Sequence, residues 1–546
     1  MKRKAVAAVL TAVMVASMFT GCGSDNGSSS AKSASAASAA SAANDTVDED
    51  GKVNGIMYQE GLPLVDEGDY TFSIFCDDSS ESGEFIMLDE FKKQTNVDVD
   101  LKIYPYETAT ERLNLDLNSG DYADVIGGWT LSDNAILTYG VNQGVFIPLE
   151  DYFEKYCPNI SAILDLPGVR EKMTAPDGHI YTIPYVCTDT TVGYSPYINT
   201  KWLENVGMSM PTTTDEFEAV LKAFKEQDAN GNGDASDEIP FSTDPNNKHI
   251  EAMAGYFGLP MNKLGIAIQN EKVVYGGVSD TYREFLSWFH KLYAEGLVDV
   301  ELYTQDSSTW EGKGNQDLYG VSIAYGSNEF TGIPAAEERG DFDSMPVLNT
   351  DKDGIWLRDT EGFSVYRTQA VITNKAEHPE IICRWFDNAF ALENGIGCNR
   401  GPVGVIVNKE DDGYHAIDTT TLSEEDQEKY SWSNLWPQSL PKYLPVDFEF
   451  VEEHPMYDEK KATEEAYEAN LTKEIIPSYW IDLDKIDTFS DTNTAIKDFF
   501  EQQQAQFVCG ELDIDNDADW QAYVDGMYSL GLEDWVATQG IEEIAK

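Results

Sequence analysis

The residues best suited to chemistry lie in one segment rich in oxygen donors, between positions 228 and 238. Calcium loops of the EF-hand type place oxygen ligands at alternate positions, with glycine at position six. This segment has carboxylate or amide side chains at positions one, three, five and seven, and Gly233 at position six. The side chains that could bind Ca²⁺ are Asp228, Asn230, Asn232, Asp234, Asp237 and Glu238.

The segment departs from an EF-hand at its end. Position twelve, which usually holds a bidentate glutamate, is Ile239, and Pro240 follows it. A helix is not expected to begin here, because proline disrupts a helix interior. The pattern therefore predicts a static structural Ca²⁺ site rather than a calcium sensor, and Mg²⁺ is disfavoured because it demands rigid octahedral geometry. The alternative is a surface turn rich in Asn and Gly that binds no metal.

A second set of candidates suits the binding of a sugar. Sugars present apolar CH faces and hydroxyl groups, which aromatic rings and planar polar side chains match. With 11 Trp and 28 Tyr in the chain, most aromatic residues are expected in the core. Trp310, Arg400 and Trp436 are expected in loops or turns. The candidate ligand-binding residues are Asp78, Trp129, Tyr185, Tyr194, Trp310, Tyr325, Asn328, Glu329, Arg400 and Trp436.

Strands and helices alternate in the first part of the chain and must position the residues near the strand ends. The segments predicted as strands are 70–75, 97–104 and 124–129, and those predicted as helices are 84–94 and 108–118. This alternation indicates a parallel sheet with right-handed crossovers, whose ligands lie beyond the carboxyl ends of the strands. Asp78 and Trp129 therefore fall on one rim.

A capped amphipathic helix is predicted directly before the acidic segment. Thr213 and Glu216 have the spacing of a capping box, in which each side chain accepts a hydrogen bond from a free backbone N–H. Apolar residues then recur at helical spacing as far as Phe224, which predicts one buried face. Segments 317–325 and 364–373 are predicted as further strands.

Charge and motif content exclude several classes of function. The chain has 546 residues and a formal net charge of −60, which argues against nucleic acid and anionic membrane surfaces as direct partners. GxSxG, HExxH, P-loop and GxGxxG motifs are missing from any suitable context. Paired carboxylates suited to glycoside hydrolysis carry little weight, since 97 acidic residues produce such pairs by chance. A lipid-anchored glycoside hydrolase and a peptide-binding lipoprotein stay open as alternatives to a sugar-binding protein.

The cysteines give no metal or redox motif. Beyond Cys22, the six others are widely spaced and contain no CxxC. They could pair as disulfides, or they could be buried free thiols, because a large core does not need crosslinks.

The first residues have the features of a targeting segment over 1–21. A basic start precedes an apolar run that is too short to span a membrane comfortably. The small residues before Cys22 resemble a bacterial lipobox, although Phe19 stands where Leu is usual. Cleavage before Cys22 would leave a lipid on its thiol, and ordinary secretion is the alternative. Residues 22–65 are predicted to be this lipidated cysteine and a disordered tether, because the Ser/Ala-rich part cannot bury a core.

Six segments, taken in their order and spacing, carry a family resemblance. They are DGHIYTIPYV at 177–186, YINTKWLENVGMSMPTTTDEFEAVLKAF at 197–224, DANGNGDASDEIPF at 228–241, LSWFHKLYAEGLVDVELY at 286–303, GFSVYRTQAVITNKAEHPEIICRWFDNAF at 362–390 and GELDIDNDADWQAYVDGMYSLGLEDW at 510–535. Together they resemble the bacterial extracellular solute-binding proteins of family 1. Within that family they are similar to the LipO-like subgroup, the lipid-anchored binding components of carbohydrate ABC importers. The segments are specific to the family and not to one sugar.

The resemblance implies an α/β fold of the two-lobed, periplasmic-binding-protein-like type II class, hinged and with the ligand cleft between the lobes. Lobe one is expected at 66–187 and 362–410 and lobe two at 188–361. The remaining region, 411–546, is expected to bridge both lobes.

The resemblance also implies a function. The protein is expected to capture a carbohydrate, in particular an oligosaccharide, and to deliver it by hinge closure to the transmembrane subunits of an ABC permease. It is not expected to be an enzyme. We expect a monomer on the extracytoplasmic face of a bacterial, Gram-positive type of cell membrane, which it contacts through its lipid anchor alone. A structural Ca²⁺ is expected as in alginate- and oligosaccharide-binding relatives.

Overall fold

Short strands recur throughout the part of the chain that the structure, a computed structural model, describes. That part comprises residues 45–78, 84–244, 249–332, 340–417, 419–445, 448–451 and 455–545, so the predicted targeting segment and Cys22 lie outside it. The strands are β1 (Lys52–Val53), β2 (Met57–Tyr58), β3 (Tyr70–Asp77), β4 (Val97–Tyr104), β5 (Val125–Gly127), β6 (Tyr185–Thr188), β7 (Ser195–Asn199), β8 (Ile239–Thr243), β9 (Ile266–Gln269), β10 (Lys272–Tyr275), β11 (Tyr319–Ala324), β12 (Phe342–Ser344), β13 (Phe363–Tyr366), β14 (Ala370–Ile372), β15 (Val407–Glu410), β16 (Gly413–Ala416) and β17 (Glu543–Ile544).

Helices connect these strands and cover the sheets. The α-helices are Ile86–Thr95, Tyr106–Ser119, Asp133–Ala135, Glu150–Tyr156, Pro158–Leu164, Val169–Met173, Thr200–Val206, Thr214–Glu226, Asp280–Ala294, Ser307–Asn315, Asn328–Thr331, Pro379–Ala389, Leu392–Arg400, Glu424–Lys429, Trp432–Leu435, Pro455–Tyr467, Ile486–Cys509, Asp517–Ser529 and Leu532–Thr538. Tighter 3₁₀ turns occupy Ile250–Phe257, Thr419–Thr421 and Glu468–Asn470, and a π-helix occupies Ile136–Asn142.

The first lobe is built on a sheet with the order β14-β5-β3-β4. β3 pairs in parallel with β4 and β5, as the alternating pattern predicted, and β14 runs antiparallel to β5. Consequently the carboxyl ends of β3 and β5 and the amino end of β14 lie on one edge. The observed β4 has the predicted bounds, and the helices Ile86–Thr95 and Tyr106–Ser119 lie close to their predicted positions.

The second lobe is built on a sheet with the order β12-β7-β11-β8. β11 is parallel to β8 and antiparallel to β7, so the carboxyl ends of β8 and β11 share an edge with the amino end of β7. The predicted amphipathic helix, Thr214–Glu226, packs beside this sheet, and the Thr213 hydroxyl accepts a hydrogen bond from the Glu216 N–H at 3.2 Å. The Glu216 carboxylate reaches back to the Thr212 N–H at 2.8 Å, one residue earlier than in a capping box.

A two-stranded ribbon of β6 and β13 leads from the first lobe towards the second. The strands are antiparallel, with Tyr185 opposite Tyr366. Beyond the ribbon the same two segments stay hydrogen-bonded, because the Asp189 N–H donates to the Gly362 carbonyl at 3.1 Å and the Asp359 N–H donates to the Thr191 carbonyl at 3.0 Å. Up to residue 410, the chain therefore passes between the lobes as two adjacent segments.

The chain beyond residue 411 contacts both lobes. Trp436 packs in the core of the first lobe, and the Trp480 indole N–H donates to the Lys172 carbonyl of that lobe at 3.1 Å. In the second lobe, β17 adds to β10 in parallel, and Trp535 is buried in the core.

Two predictions about order and strands are wrong. Residues 45–65, expected in the disordered tether, fold onto the first lobe, where four buried apolar residues outweigh the polar turns around them: Val53, Met57, Leu64 and Val65. The single strand expected over 364–373 is two strands, β13 and β14. Arg367 lies between them and turns its guanidinium to Asp133, with Nε–Oδ1 at 2.8 Å.

None of the helices in the described ranges combines the length and the apolar character that crossing a bilayer requires.

The core of the second lobe depends on Phe224. Its ring packs edge-on against Trp202, with centroids 5.3 Å apart, and a Cβ at Gly320 would overlap it. We expect Phe224→Ala to lower the free energy of unfolding by about 3–5 kcal/mol, because it leaves a cavity in a fully buried site. Chemical denaturation followed by tryptophan fluorescence measures this loss. Tyr528→Ala, at a ring that is 42% exposed, is the control and should cost little. A small loss for Phe224→Ala would contradict this packing.

Stability should depend on pH through Asp387, which joins two helices of the first lobe. Its carboxylate accepts hydrogen bonds from the Ile160 N–H at 2.8 Å and the Asn159 amide at 3.0 Å, yet burial raises its pKa from 3.8 to about 6. The folded state therefore binds this proton more tightly than the unfolded state, and the resulting stability is present below about pH 4 and is lost as the pH rises through about 6.

We expect wild type to gain about 2 kcal/mol relative to Asp387→Asn between pH 7.5 and pH 4.5, measured by denaturation at both values. The exposed Asp525→Asn should show no such gain. Parallel pH profiles for wild type and Asp387→Asn would show that Asp387 titrates normally.

Candidate functional site

The rim of the first lobe is shaped by Asp77, which is fully buried at the end of β3. Its carboxylate accepts hydrogen bonds from the backbone N–H groups of Trp129 at 3.0 Å and Thr130 at 2.6 Å, and burial raises its pKa. Gly128 is required here because its φ is +131° and because a Cβ would overlap the Asp77 carboxylate. The Trp129 side chain is thereby held at the rim, where 47% of it is exposed.

Three rings form what we call the first aromatic set: Trp129, Tyr185 and Tyr366. Trp129 lies edge-on to Tyr366 with centroids 5.2 Å apart, and Tyr185 lies 5.5 Å from Tyr366. Tyr185 begins β6 and Tyr366 ends β13, so the ribbon places both rings beside the strand end that carries Trp129. The result is a partly exposed aromatic surface of the kind that packs against sugar rings.

The second aromatic set lies on the second lobe and consists of Tyr194, His249 and Tyr325. Tyr194 precedes β7 and Tyr325 follows β11, at the shared edge of that sheet. His249 stacks on Tyr194 with centroids 4.1 Å apart, and Tyr325 lies 6.0 Å from Tyr194. Burial lowers the pKa of His249 to about 4, so at neutral pH its ring is uncharged and offers one donor and one acceptor.

Asp189 links the two sets. Its Oδ2 accepts a hydrogen bond from the Ser364 hydroxyl in β13 at 2.6 Å, and its Oδ1 accepts one from the Tyr325 hydroxyl at 3.3 Å. Burial first, and then the Asp189 charge, raise the pKa of both Tyr325 and Tyr366. A ligand beside Asp189 would therefore meet rings from both sets.

The helix Pro455–Tyr467 supports the segment between the lobes. The Glu464 carboxylate accepts a hydrogen bond from the Thr191 N–H at 2.6 Å, and Lys460 donates to the Gly193 carbonyl at 2.8 Å. The Lys460 ammonium also lies 3.7 Å from the centroid of the Tyr325 ring. Burial lowers its pKa to about 8, although neighbouring carboxylates act in the opposite direction. Lys460 therefore contacts both the segment that connects the lobes and the Tyr325 ring.

The structure brings together some of the candidate ligand-binding residues. Trp129, Tyr185, Tyr194 and Tyr325 lie in the two aromatic sets, and Glu329 accepts a hydrogen bond from the Tyr325 N–H at 2.9 Å. Asn328 directly precedes Glu329 in the helix Asn328–Thr331. Asp78 is buried beneath the rim and accepts from the Gln438 N–H at 2.7 Å, and the Arg400 guanidinium lies 5.8 Å from the Phe450 ring.

Two candidates are corrected by their burial. Trp310 belongs to the helix Ser307–Asn315, not to a loop, and is 3% exposed with its indole N–H donating to the Ser322 hydroxyl at 3.2 Å. Trp436 is fully buried and stacks on Trp385, with centroids 5.7 Å apart. Neither ring can present a face to a ligand. Arg400 ends the helix Leu392–Arg400 and is likewise not in a turn.

Sequence reasoning missed three residues of the cleft. Tyr366 lay inside a predicted strand, and its position next to Tyr185 was not visible without the pairing of β6 and β13. Asp189 and Lys460 could not be picked out from the many charged residues of the sequence. Each contacts a residue more than a hundred positions away in the chain.

The acidic segment folds as a loop between the helix Thr214–Glu226 and β8. Side-chain oxygens accept hydrogen bonds from backbone N–H groups further along the loop: Asn230 from Asn232 at 3.0 Å, Asn232 from Asp234 at 2.7 Å and Asp228 from Gly233 at 3.0 Å. These Asx turns fix the local path of the loop. The Asp237 carboxylate joins them by accepting from the amides of Asn230 and Asn232, at 3.2 and 2.8 Å.

Glu238 completes this loop and fits a cation. Its Oε1 accepts a hydrogen bond from the Ala229 N–H at 2.9 Å, whereas its Oε2 is buried with no hydrogen-bond partner among the described residues. Burial raises its pKa. An unpaired buried carboxylate oxygen is costly, and a Ca²⁺ ion would satisfy it. As predicted, no helix follows the loop; the strand β8 does.

Two sheets whose edges carry aromatic sets, joined by a ribbon, define a two-lobed α/β binding protein with a ligand cleft between its lobes. The chain belongs to the bacterial extracellular solute-binding protein family, which matches residues 78–395. It is a binding protein and not an enzyme.

Relatives support this assignment. The chain is 31% identical over 411 residues to the fructooligosaccharide ABC transporter substrate-binding protein FusA of Streptococcus pneumoniae, covering 73% of this chain and 70% of FusA. It is 28% identical over 280 residues to Lipoprotein LipO of Bacillus subtilis, covering 50% and 52% of the two chains.

Solved structures of FusA share the fold. FusA in complex with kestose is 27% identical, with a TM-score of 0.76 over 86% of this chain and 98% of that chain. An EF-hand mutant of FusA in complex with fructo-nystose is 27% identical, with a TM-score of 0.74 over the same shares. The predicted family and two-lobed fold are therefore confirmed.

Proposed function

We propose that the chain captures an oligosaccharide outside the cytoplasm and delivers it to the transmembrane subunits of an ABC importer. The observation that carries this proposal is the aromatic surface around Trp129, which is half exposed at a strand end, together with the second aromatic set on the other lobe. Uncharged aromatic rings stack well on the faces of sugars, whereas extended peptides are usually bound through backbone hydrogen bonds to a strand edge or in a groove. The similarity to FusA, named for fructooligosaccharides, supports the same ligand class.

Closure of the cleft would signal that the ligand is bound. A sugar placed between the sets would contact Trp129 and Tyr366 on one side and Tyr194 and Tyr325 on the other. Contacts to both lobes favour the closed arrangement, since a ligand shifts an equilibrium towards the state that it binds better. The permease would recognise that state. The enzyme alternative finds no support among the relatives, and a peptide-binding role has no specific observation in its favour.

The acidic loop is proposed to hold a structural Ca²⁺. The side chains of Asp228, Asn230, Asn232, Asp234, Asp237 and Glu238 would hold it. The Asx turns and the unpaired Glu238 oxygen support this assignment, and so does the EF-hand named in a FusA structure. The ion would fix the start of β8, whose far end lies at the cleft, and would take no part in choosing the sugar.

A lipid on Cys22 is proposed to hold the protein at the outer face of the cell membrane. The residues around it and the lipoprotein relative LipO support this anchor. Residues 23–44 would then be the tether, shorter than the sequence predicted, because residues 45–65 are folded.

The proposal is tested with a panel of oligosaccharides. Thermal-shift screening should reveal at least one ligand, and small-angle scattering should show compaction when that sugar is added. Failure of every oligosaccharide to bind, or turnover of a glycoside, would overturn the proposal.

Loss of the Trp129 ring should weaken binding. We expect Trp129→Ala to raise the Kd for kestose, or for the tightest sugar of the panel, by about 30-fold in isothermal titration, because a stacking surface worth about 2 kcal/mol is removed. Tyr528→Ala removes an exposed ring on the far helix Asp517–Ser529 and should leave the Kd unchanged. Equal effects of the two variants would show that Trp129 is not a platform.

Removal of calcium should destabilise the fold. We expect a chelator to lower the Tm of wild type by about 5 °C, because an ion that binds only the folded state stabilises it by mass action. Asp228→Ala should lower the Tm to a similar extent and abolish the response to the chelator. Asp525→Ala, at an exposed acid outside the loop, should keep the full response. An unchanged Tm for wild type in the chelator would refute the Ca²⁺ site.

A further inference from the structure

Three carboxylates border the second aromatic set. Asp189 accepts from the Tyr325 hydroxyl, Glu329 accepts from the Tyr325 N–H at 2.9 Å, and Asp359 accepts from the Gly193 N–H at 2.7 Å. Asp189 also accepts from the Ser364 hydroxyl and the Thr190 N–H, but a carboxylate has about four lone-pair sites. Acceptor capacity is therefore left for a ligand.

Asp244 and Glu311 add two more carboxylates on the second lobe. Asp244 directly follows β8 and accepts a hydrogen bond from the Ser307 hydroxyl at 3.1 Å. Burial raises the pKa of Glu311, Glu329 and Tyr194, and the negative charge of Asp244 raises each of them further. The negative potential therefore reaches from the ribbon to the stacked pair of Tyr194 and His249.

Two lysines near the cleft contact neighbouring groups of the protein. Among the described residues, Lys460 lies against the second aromatic set, and its ammonium is held by the Gly193 carbonyl and the Tyr325 ring. On the first-lobe side, Lys442 is buried and its ammonium contacts the Gln438 side-chain oxygen. His249 is neutral near pH 7. The exposed Lys263 also places a positive charge near His249. Beside Tyr325, however, an acidic ligand would meet the carboxylates of Asp189 and Glu329.

We propose that this cleft selects uncharged oligosaccharides and rejects oligosaccharides that carry a carboxylate, with Asp189 and Glu329 as discriminating residues. The inference rests on the proposed function and narrows its substrate class. Sugar hydroxyls donate to carboxylates, which are strong acceptors, whereas a ligand carboxylate has no proton to donate and is repelled by them.

Matched sugars separate charge from size. The uncharged panel is kestose, maltotriose, mannotriose and galactotriose. Each has a charged counterpart, in which a carboxylate replaces one primary alcohol, and a control counterpart with the primary amide at the same position. Isothermal titration at low salt should show the carboxylate form of the binding sugar at least about 30-fold weaker than its amide form. Raising NaCl to about 0.5 M should shrink this ratio, because exposed charges are screened.

Variants test whether the two carboxylates cause the discrimination. Asp189→Asn with Glu329→Gln should reduce the ratio of carboxylate to amide Kd by about tenfold, whatever the change in overall affinity. This ratio cancels effects on folding and closure, which apply to both sugars. Asp525→Asn, at an exposed acid on the helix Asp517–Ser529, is the matched control and should leave the ratio unchanged.

The outcomes distinguish the inference from the function on which it rests. Equal or tighter binding of the carboxylate form overturns the inference and leaves sugar capture intact. A ratio that the double variant does not change also overturns it, because the discrimination would then come from other groups. Absence of binding by every sugar in all three forms overturns the proposed function, and the inference with it.

Discussion

The hydrogen bonds of Asp189 form the contact on which the arrangement of the cleft depends. One oxygen accepts from Ser364 in the ribbon, and the other accepts from Tyr325 at the sheet edge of the second lobe. Because each lobe has its own core, contacts between the lobes set the relative positions of the two aromatic sets. Asp189 and the supporting helix Pro455–Tyr467 supply such contacts. The polar connection can therefore rearrange while both cores stay intact, which is what hinge closure requires.

Both rims follow from the same topological rule. In each sheet, the parallel strands have their carboxyl ends at the cleft. The antiparallel strand of each sheet has its amino end there. Side chains that leave those ends have no neighbouring strand to cover them, so Trp129 and Tyr325 stay partly accessible. Backbone N–H groups also lie there, and carboxylates such as the buried Asp77 and the exposed Asp359 accept their hydrogen bonds. The acidity of the cleft is thus partly a consequence of the way its loops are held.

Periodicity and capping predicted the local elements well, and contacts between distant segments decided the rest. The bounds of β4 and the cap at Thr213 depend on neighbouring residues, and both are visible in the sequence. Gly312 and Gly314 disfavour a helix and so predict a loop around Trp310, yet Gly314 lies in a helix and is needed for the close approach of the Phe330 carbonyl. The family and the acidic loop were recognisable from order and spacing. The composition of the cleft was only half predictable, since Tyr366 and Lys460 reach it through pairing and packing that no local pattern encodes.

The way in which both lobes are completed late in the chain bears on how the protein is made. The first sheet needs β14, and its core needs Trp436; the second lobe needs β17, which pairs with β10 from far upstream. Loop closure over such distances is slow, and the second lobe cannot be complete before β17 has been synthesised. The discontinuous architecture that builds the cleft therefore also makes each lobe wait for segments that are synthesised long after its first strands.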